Sequence, residues 1–120
     1  MSGKKINAAI VGASGYSGEE LVRLLLGHPH VNLSVLTSRQ YAGQAVTSVF
    51  PRFAGHAEAS DLTFSKPSID LLADKAQAVF LALPHGVAAE FAVPLIKRGL
   101  TVIDLSADFR LNDVDTYSEF

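Results

Sequence analysis

Cysteine is absent from the 120 residues. That excludes disulfides, thiolate metal sites and a cysteine nucleophile within them. An excess of either charge is missing too: 10 Lys and Arg stand against 12 Asp and Glu, a formal net charge of −2. No polybasic run and no strong positive field exist to attract nucleic acid or an anionic membrane. Long hydrophobic runs are lacking, and nothing approaches the roughly 20 apolar residues that span a bilayer. The basic start leads into Ile6 to Val11, too short and too mixed for a secretory signal core. His28, His30 and His56 lack acidic or cysteine partners at metal-ligand spacing, so no metal site is expected. The expectation is a soluble, cytoplasmic protein with neither nucleic acid nor membrane as partner.

What is present suits a folded domain: 48% of residues are hydrophobic and 18% charged. Ile6 to Val11 reads as a buried strand, and Glu19 to Leu26 as a helix with acids in its first turn and Gly27 as its stop. Val31 to Thr37 alternates, predicting a second strand nearer a sheet edge. Residues 38–61 read as an irregular excursion with one helical turn near Gln44 to Val49. Leu62 to Ser65 is a weak third strand, and Ile69 to Ala73 a short helix started by Ser68. Ala78 to Leu83 is a buried fourth strand. Gly86 to Arg98 is helical, with Pro94 expected to kink or divide it. Leu100 to Leu105 is the fifth strand. This alternation predicts an α/β, Rossmann-like, doubly wound parallel sheet. A complete dinucleotide domain usually has six strands. Five strands and a polar tail without a stop signal predict that residues 1–120 are part of such a domain. The last strand and any catalytic domain would lie outside them.

The chemistry gathers at the first strand-turn-helix unit. Gly12, Gly15 and Gly18 have G-x-x-G-x-x-G spacing, with Ser14 and Ser17 where G-x-G-x-x-G would place glycines. One glycine permits the sharp turn, one lets backbone approach a pyrophosphate, and one allows close packing of helix on sheet. Free N–H groups and the positive helix end favour phosphate, and the two serine hydroxyls add donors. A turn that only connects strand to helix is the plainer alternative. The position directly after a strand and at the opening of a helix favours a dinucleotide.

The end of the second strand bears on which dinucleotide. NAD sites place an acid there for the ribose hydroxyls, and NADP sites place groups that accept a 2′-phosphate. Here Ser38 and Arg39 follow the strand, and no acid occurs before Glu58. Arg39 lies about 20 residues past the turn, where the selectivity residue belongs, and it can make two charge-assisted bonds to a phosphate with Ser38 adding a third. A solvated surface arginine is the alternative, and position favours NADP. Leu83, Pro84, His85 and Gly86 close the fourth strand at the same sheet edge and are expected to wall the cofactor cleft, His85 as a contact rather than a catalyst. After the fifth strand, Ser106 and Arg110 either line the site, Arg110 facing an anionic substrate, or belong to a turn in which Asp108 and Arg110 pair at the surface.

Together these segments resemble one family. Gly12 to Gly18 with Glu19, Glu20 and Leu21, the pair Ser38 and Arg39, the loop Ala82 to Gly86, and the run Asp104 to Arg110 are similar to N-acetyl-γ-glutamyl-phosphate reductase. The likeness runs from Ile6 to the end and is least distinctive over 41–77. The glycine turn alone would also fit aspartate-β-semialdehyde dehydrogenase, a relative with the same chemistry. The resemblance implies an NADPH-dependent step of arginine biosynthesis, reducing an acyl phosphate to N-acetylglutamate semialdehyde. It also implies a cysteine thiolate that displaces phosphate, a histidine acid/base, and release of the aldehyde from the thioester by hydride. It places Gly12, Ser14, Gly15, Tyr16, Ser17, Gly18, Ser38, Arg39 and Leu83 to Gly86 at cofactor positions, and Arg110 on the substrate's phosphate. It further implies a homo-oligomer assembled through a domain outside these residues. The sequence departs from the family's pattern in having no cysteine. No catalytic residue is therefore expected here, and turnover by these residues alone is not.

Two other readings compete. A self-contained NADP-sensing module would change shape or partners with the cofactor. A short-chain dehydrogenase shares the glycine spacing but needs a Tyr-x-x-x-Lys pair, which neither Tyr16 nor Tyr41 begins.

Overall fold

The computed structural model describes residues 5–13, 15–83 and 85–105. Five strands form one parallel sheet: β1 (Ile6–Val11), β2 (Val31–Thr37), β3 (Phe64–Ser65), β4 (Ala78–Leu81) and β5 (Thr101–Asp104). Their spatial order is β3-β2-β1-β4-β5, every pairing parallel. The helices are α1 (Tyr16–Leu25), α2 (Val46–Val49), α3 (Ile69–Lys75) and α4 (His85–Lys97). The chain builds outward from β1 to β2 and β3, then returns to lay β4 on the other side of β1. The point of reversal lies between β1 and β4, where open α/β sheets leave a crevice beyond their carboxyl ends.

Alternation along β1 supplies both faces of the sheet. Ala8 and Ile10 join one core with Val22, Leu26, Leu36, Val46, Phe53 and Phe64. Ala9 and Val11 join the other with Val35, Leu72, Val79, Leu81, Phe91 and Leu95. A central strand buried on both sides needs apolar residues at consecutive positions, which is why β1 reads as a continuous run rather than an alternating one. Between β1 and β2 the register slips at Ala8 and Ala9. Ser34 meets that irregularity by donating its hydroxyl to the Ala8 carbonyl at 3.2 Å.

β2 lies nearer the sheet edge, as its alternation predicts: only β3 stands outside it, covering its last two residues, Leu36 and Thr37. Its burial rises along the strand to match. Two expectations need adjustment. α4 is not divided: the helix runs through Pro94. Proline removes one N–H and so leaves one carbonyl, that of Glu90, without its helical donor. Glu90 is exposed and water can satisfy it, while the buried Ala88, Phe91 and Leu95 hold the helix on the sheet. The excursion at 38–61 is more ordered than its sequence suggests. Besides α2 it holds 3-10 turns at Pro51–Phe53 and Ala57–Ala59. Phe53 is buried, and its ring meets that of Phe50 edge-on at 5.8 Å, which in turn meets Phe64 at 6.1 Å.

Candidate functional site

The turn between β1 and α1 separates the three glycines by role. Gly12 has φ +83°, and a Cβ there would meet the Ala82 carbonyl oxygen at 2.5 Å. Both the conformation and the neighbouring β4 end demand glycine. Gly18 is buried, and its Cβ would collide with the Gly12 carbonyl oxygen and the Ala13 backbone. It is the position that lets α1 pack directly on the strand end. Gly15 differs. It is exposed, its φ of −81° suits any residue, and a Cβ would find only the Gly12 oxygen, at an ordinary 3.7 Å. Folding does not require glycine there, whereas close approach of a ligand would.

Gly15 is the N-cap of α1 and no side chain caps that end. Its own N–H donates back to Gly12 O at 3.2 Å, and its carbonyl accepts from Glu19 N–H at 2.8 Å. The positive end of a ten-residue helix thus opens at a residue with no side chain in the way. Behind the turn, Ala13 N–H donates to Thr37 O at 2.9 Å and Ala82 N–H to Val11 O at 2.9 Å. These bonds lock the ends of β1, β2 and β4 together.

A cleft of about 250 Å³ lies over those ends. It is lined by Val11, Gly12 and Gly15, by Ser38, Arg39 and Gln40, and by Pro67, Ala82, Leu83 and Phe91. One wall is the glycine turn, another the residues after β2, and the apolar remainder comes from β4, α4 and the approach to α3. Five residues predicted from three separate stretches, Gly12 and Gly15, Ser38 and Arg39, and Leu83, therefore share one cavity. Ser38 is 2% exposed; its Oγ accepts from Tyr41 N–H at 3.0 Å and its N–H donates to Ser65 O at 3.0 Å. It fixes the bend from which Arg39 projects. Beside it, Thr37 Oγ1 is buried without a hydrogen-bond partner.

Sequence reasoning missed Gln40, Pro67 and Phe91 as cleft residues. Phe91 sits mid-helix at a core position, and Pro67 reads as a plain loop residue, so only the topology brings them to the site. Tyr16 and Ser17 open α1, and His85 and Gly86 open α4. Ser14, Pro84, Ser106 and Arg110 lie outside the described residues. So does the tail from Ala107.

Charge around the turn is arranged in pairs. Arg23 hydrogen-bonds Glu20 at 2.8 Å, and that bond holds the Glu20 carboxyl below its ordinary pKa and raises Arg23. Glu19 instead meets Arg52 of the excursion at 3.1 Å. Among the described residues no group of three or more His, Cys, Asp or Glu could hold a metal ion. None of the described helices is long and apolar enough to cross a membrane.

Comparison with known proteins bears on this cleft. A family model, the semialdehyde dehydrogenase NAD-binding domain, matches residues 7–118. An N-acetyl-gamma-glutamyl-phosphate reductase of Akkermansia muciniphila is 52% identical over 98% of this chain and 34% of its own length. A LysW-L-2-aminoadipate/LysW-L-glutamate phosphate reductase of Saccharolobus solfataricus is 50% identical over 94% of this chain and 31% of its own. The chain thus spans about a third of these relatives. Among solved structures, the aspartate semialdehyde dehydrogenase of Candida albicans with NADP superposes with a TM-score of 0.67. It is 22% identical and is matched over 90% of this chain and 31% of that one. Aspartate semialdehyde dehydrogenase II of Vibrio cholerae gives 0.66 at 22% identity, over 90% of this chain and 30% of that one. These two likenesses establish the fold.

Proposed function

The chain belongs to the family of semialdehyde dehydrogenase NAD-binding domains, and from that premise we propose that it binds NADP(H) for N-acetyl-γ-glutamyl-phosphate reductase. The nucleotide-binding type of the domain and its oxidoreductase kinship follow from the family; the choice of NADP and the substrate are our reading. The observation that carries it is the shared cleft, with an uncapped helix end at Gly15 on one side and Arg39 on the other. Gly12 and Gly18 set the turn. Ser14, Tyr16 and Ser17 are assigned to the diphosphate with them. Arg39 and Ser38 take the 2′-phosphate, because a guanidinium offers paired donors that a 2′-hydroxyl cannot fully use.

The nicotinamide, when bound, supplies the hydride. Val11, Ala82, Leu83 and Phe91 give the cleft an apolar side. Leu83, Pro84, His85 and Gly86 are assigned to the cofactor, His85 as a contact rather than a catalyst, and Ser106 and Arg110 to the acyl phosphate's anionic end. The 120 residues hold no cysteine, so thioester chemistry draws its thiolate from elsewhere in the enzyme. On this reading these residues bind cofactor without turning over, and assembly into an oligomer involves other parts of the protein.

Titration with NADPH and NADH tests the assignment. The protein should prefer NADPH, and Arg39→Ala should weaken NADPH about tenfold to a hundredfold. That is the worth of one or two charge-assisted bonds, ~1.5–3 kcal/mol. NADH should change less than about twofold. Equal losses for both nucleotides, or none, would contradict the role of Arg39.

A further inference from the structure

We propose that Arg52 is a charge-screening residue for the dinucleotide turn, neutralising Glu19 so that the turn can accept a diphosphate. The proposal rests on the dinucleotide reading above. Glu19 lies in the first turn of α1, one turn after Gly15. Helical side chains lean toward the N-terminus and cover the preceding turn. The Glu19 carboxylate therefore belongs to the same end of the helix as the candidate anion site. Without a ligand, an acid there is favourable to the helix. With a diphosphate at the cap, the same acid repels it.

The pairing pattern meets that conflict. Arg23 stands four residues after Glu19 and could pair with it along the helix. It pairs with Glu20 instead, at 2.8 Å. Glu19 receives its cation from 33 residues away, Arg52 Nη1 to Glu19 Oε2 at 3.1 Å. Glu19 is the more buried partner, its side chain 23% exposed against 51% for Arg52. Arg52 is held in place from below: its guanidinium lies 5.2 Å from the centre of the Phe53 ring, and Phe53 is 1% exposed in the core. The excursion thus anchors a cation over the one acid of the first turn. A pair of this exposure contributes little to stability, so its effect should appear in anion binding.

The test neutralises each partner in turn and asks for effects of opposite sign. In the intact protein, NADPH and NADH dissociation constants are measured for wild type, Arg52→Gln, Glu19→Gln and the double variant. This is done at about 50 mM and about 500 mM salt, which shortens the Debye length from about 14 Å to about 4 Å. Arg52→Gln should weaken both nucleotides by the same factor, about two- to fivefold at low salt. Glu19→Gln should leave both unchanged or tighten them, and the double variant should return to wild type. All differences should fade at high salt. A bridge that only steadies the excursion predicts instead that both single variants weaken binding alike, at either salt, and that result overturns the proposal. If Arg52→Gln does not fold, Glu19→Gln alone decides it, because weakened binding by that variant is incompatible with screening. Failure of wild type to bind either nucleotide overturns the dinucleotide reading itself, and that outcome is distinct from the others.

Discussion

Gly15 and Gly18 are three residues apart and chemically identical, yet they answer to different demands. A methyl group on Gly18 runs into the Gly12 carbonyl and the Ala13 backbone, and backbone cannot step aside. Gly18→Ala should therefore lower stability by about 1–3 kcal/mol or more, the range of overpacking, seen as a reduced urea midpoint. A methyl on Gly15 meets nothing closer than 3.7 Å, and alanine at an N-cap costs about 1 kcal/mol or less relative to glycine. Gly15→Ala should fold with a similar midpoint but bind NADPH at least about tenfold more weakly, because the methyl would stand where a diphosphate approaches. Equal stability losses in both variants, with binding intact in Gly15→Ala, would show that Gly15 is only structural. The sequence displays three evenly spaced glycines but not this division. Which one touches β4 depends on how tightly Ala82 approaches, a tertiary distance that no spacing encodes.

Among the elements, those with strong local signals match their predicted bounds closely, and those governed by long-range packing do not. Ala8 to Val11 of β1 and all of β4 are apolar at consecutive positions because both faces of the sheet are covered there, whereas Ile6 and Asn7 at the start of β1 are exposed. α3 begins at Ser68 as expected, its Oγ accepting from Leu71 N–H at 3.2 Å. Ser68→Ala removes that cap and should cost ~1 kcal/mol, measurable as a lower thermal midpoint with nucleotide affinity unchanged; altered affinity would mean that α3 shapes the cleft more directly than Pro67 alone suggests. α4 passes Pro94 because sheet packing at Phe91 and Leu95 outweighs one lost backbone bond. The segment 38–61 was the least legible. Its order comes from Phe50, whose ring meets Phe53 edge-on and Phe64 edge-on from more than ten residues away, and such pairings leave no periodic trace. Arg52 owes its position to that cluster, which is why its neighbour Glu19 could not be foreseen.

At the scale of the whole molecule, the strand order puts the ends of β1, β2 and β4 at one edge of the sheet, and Gly12, Gly15, Ser38, Arg39 and Leu83 line the cleft there. Arg39 joins Gly15 across the cleft because β2 lies beside β1, a consequence of parallel winding that the alternation of strands and helices already implied. Gln40 and Phe91 joined them only through the folded geometry. On this reading one end of a nucleotide sits on the first turn of α1 and its 2′-phosphate on Arg39. The most direct measurement is a crystal structure of the protein with NADP bound. The account predicts the diphosphate within hydrogen-bonding distance of main-chain N–H groups between Gly15 and Gly18, and the 2′-phosphate paired with the Arg39 guanidinium. A nucleotide bound away from the glycine turn, or one whose 2′-phosphate points into solvent with Arg39 turned aside, would contradict it.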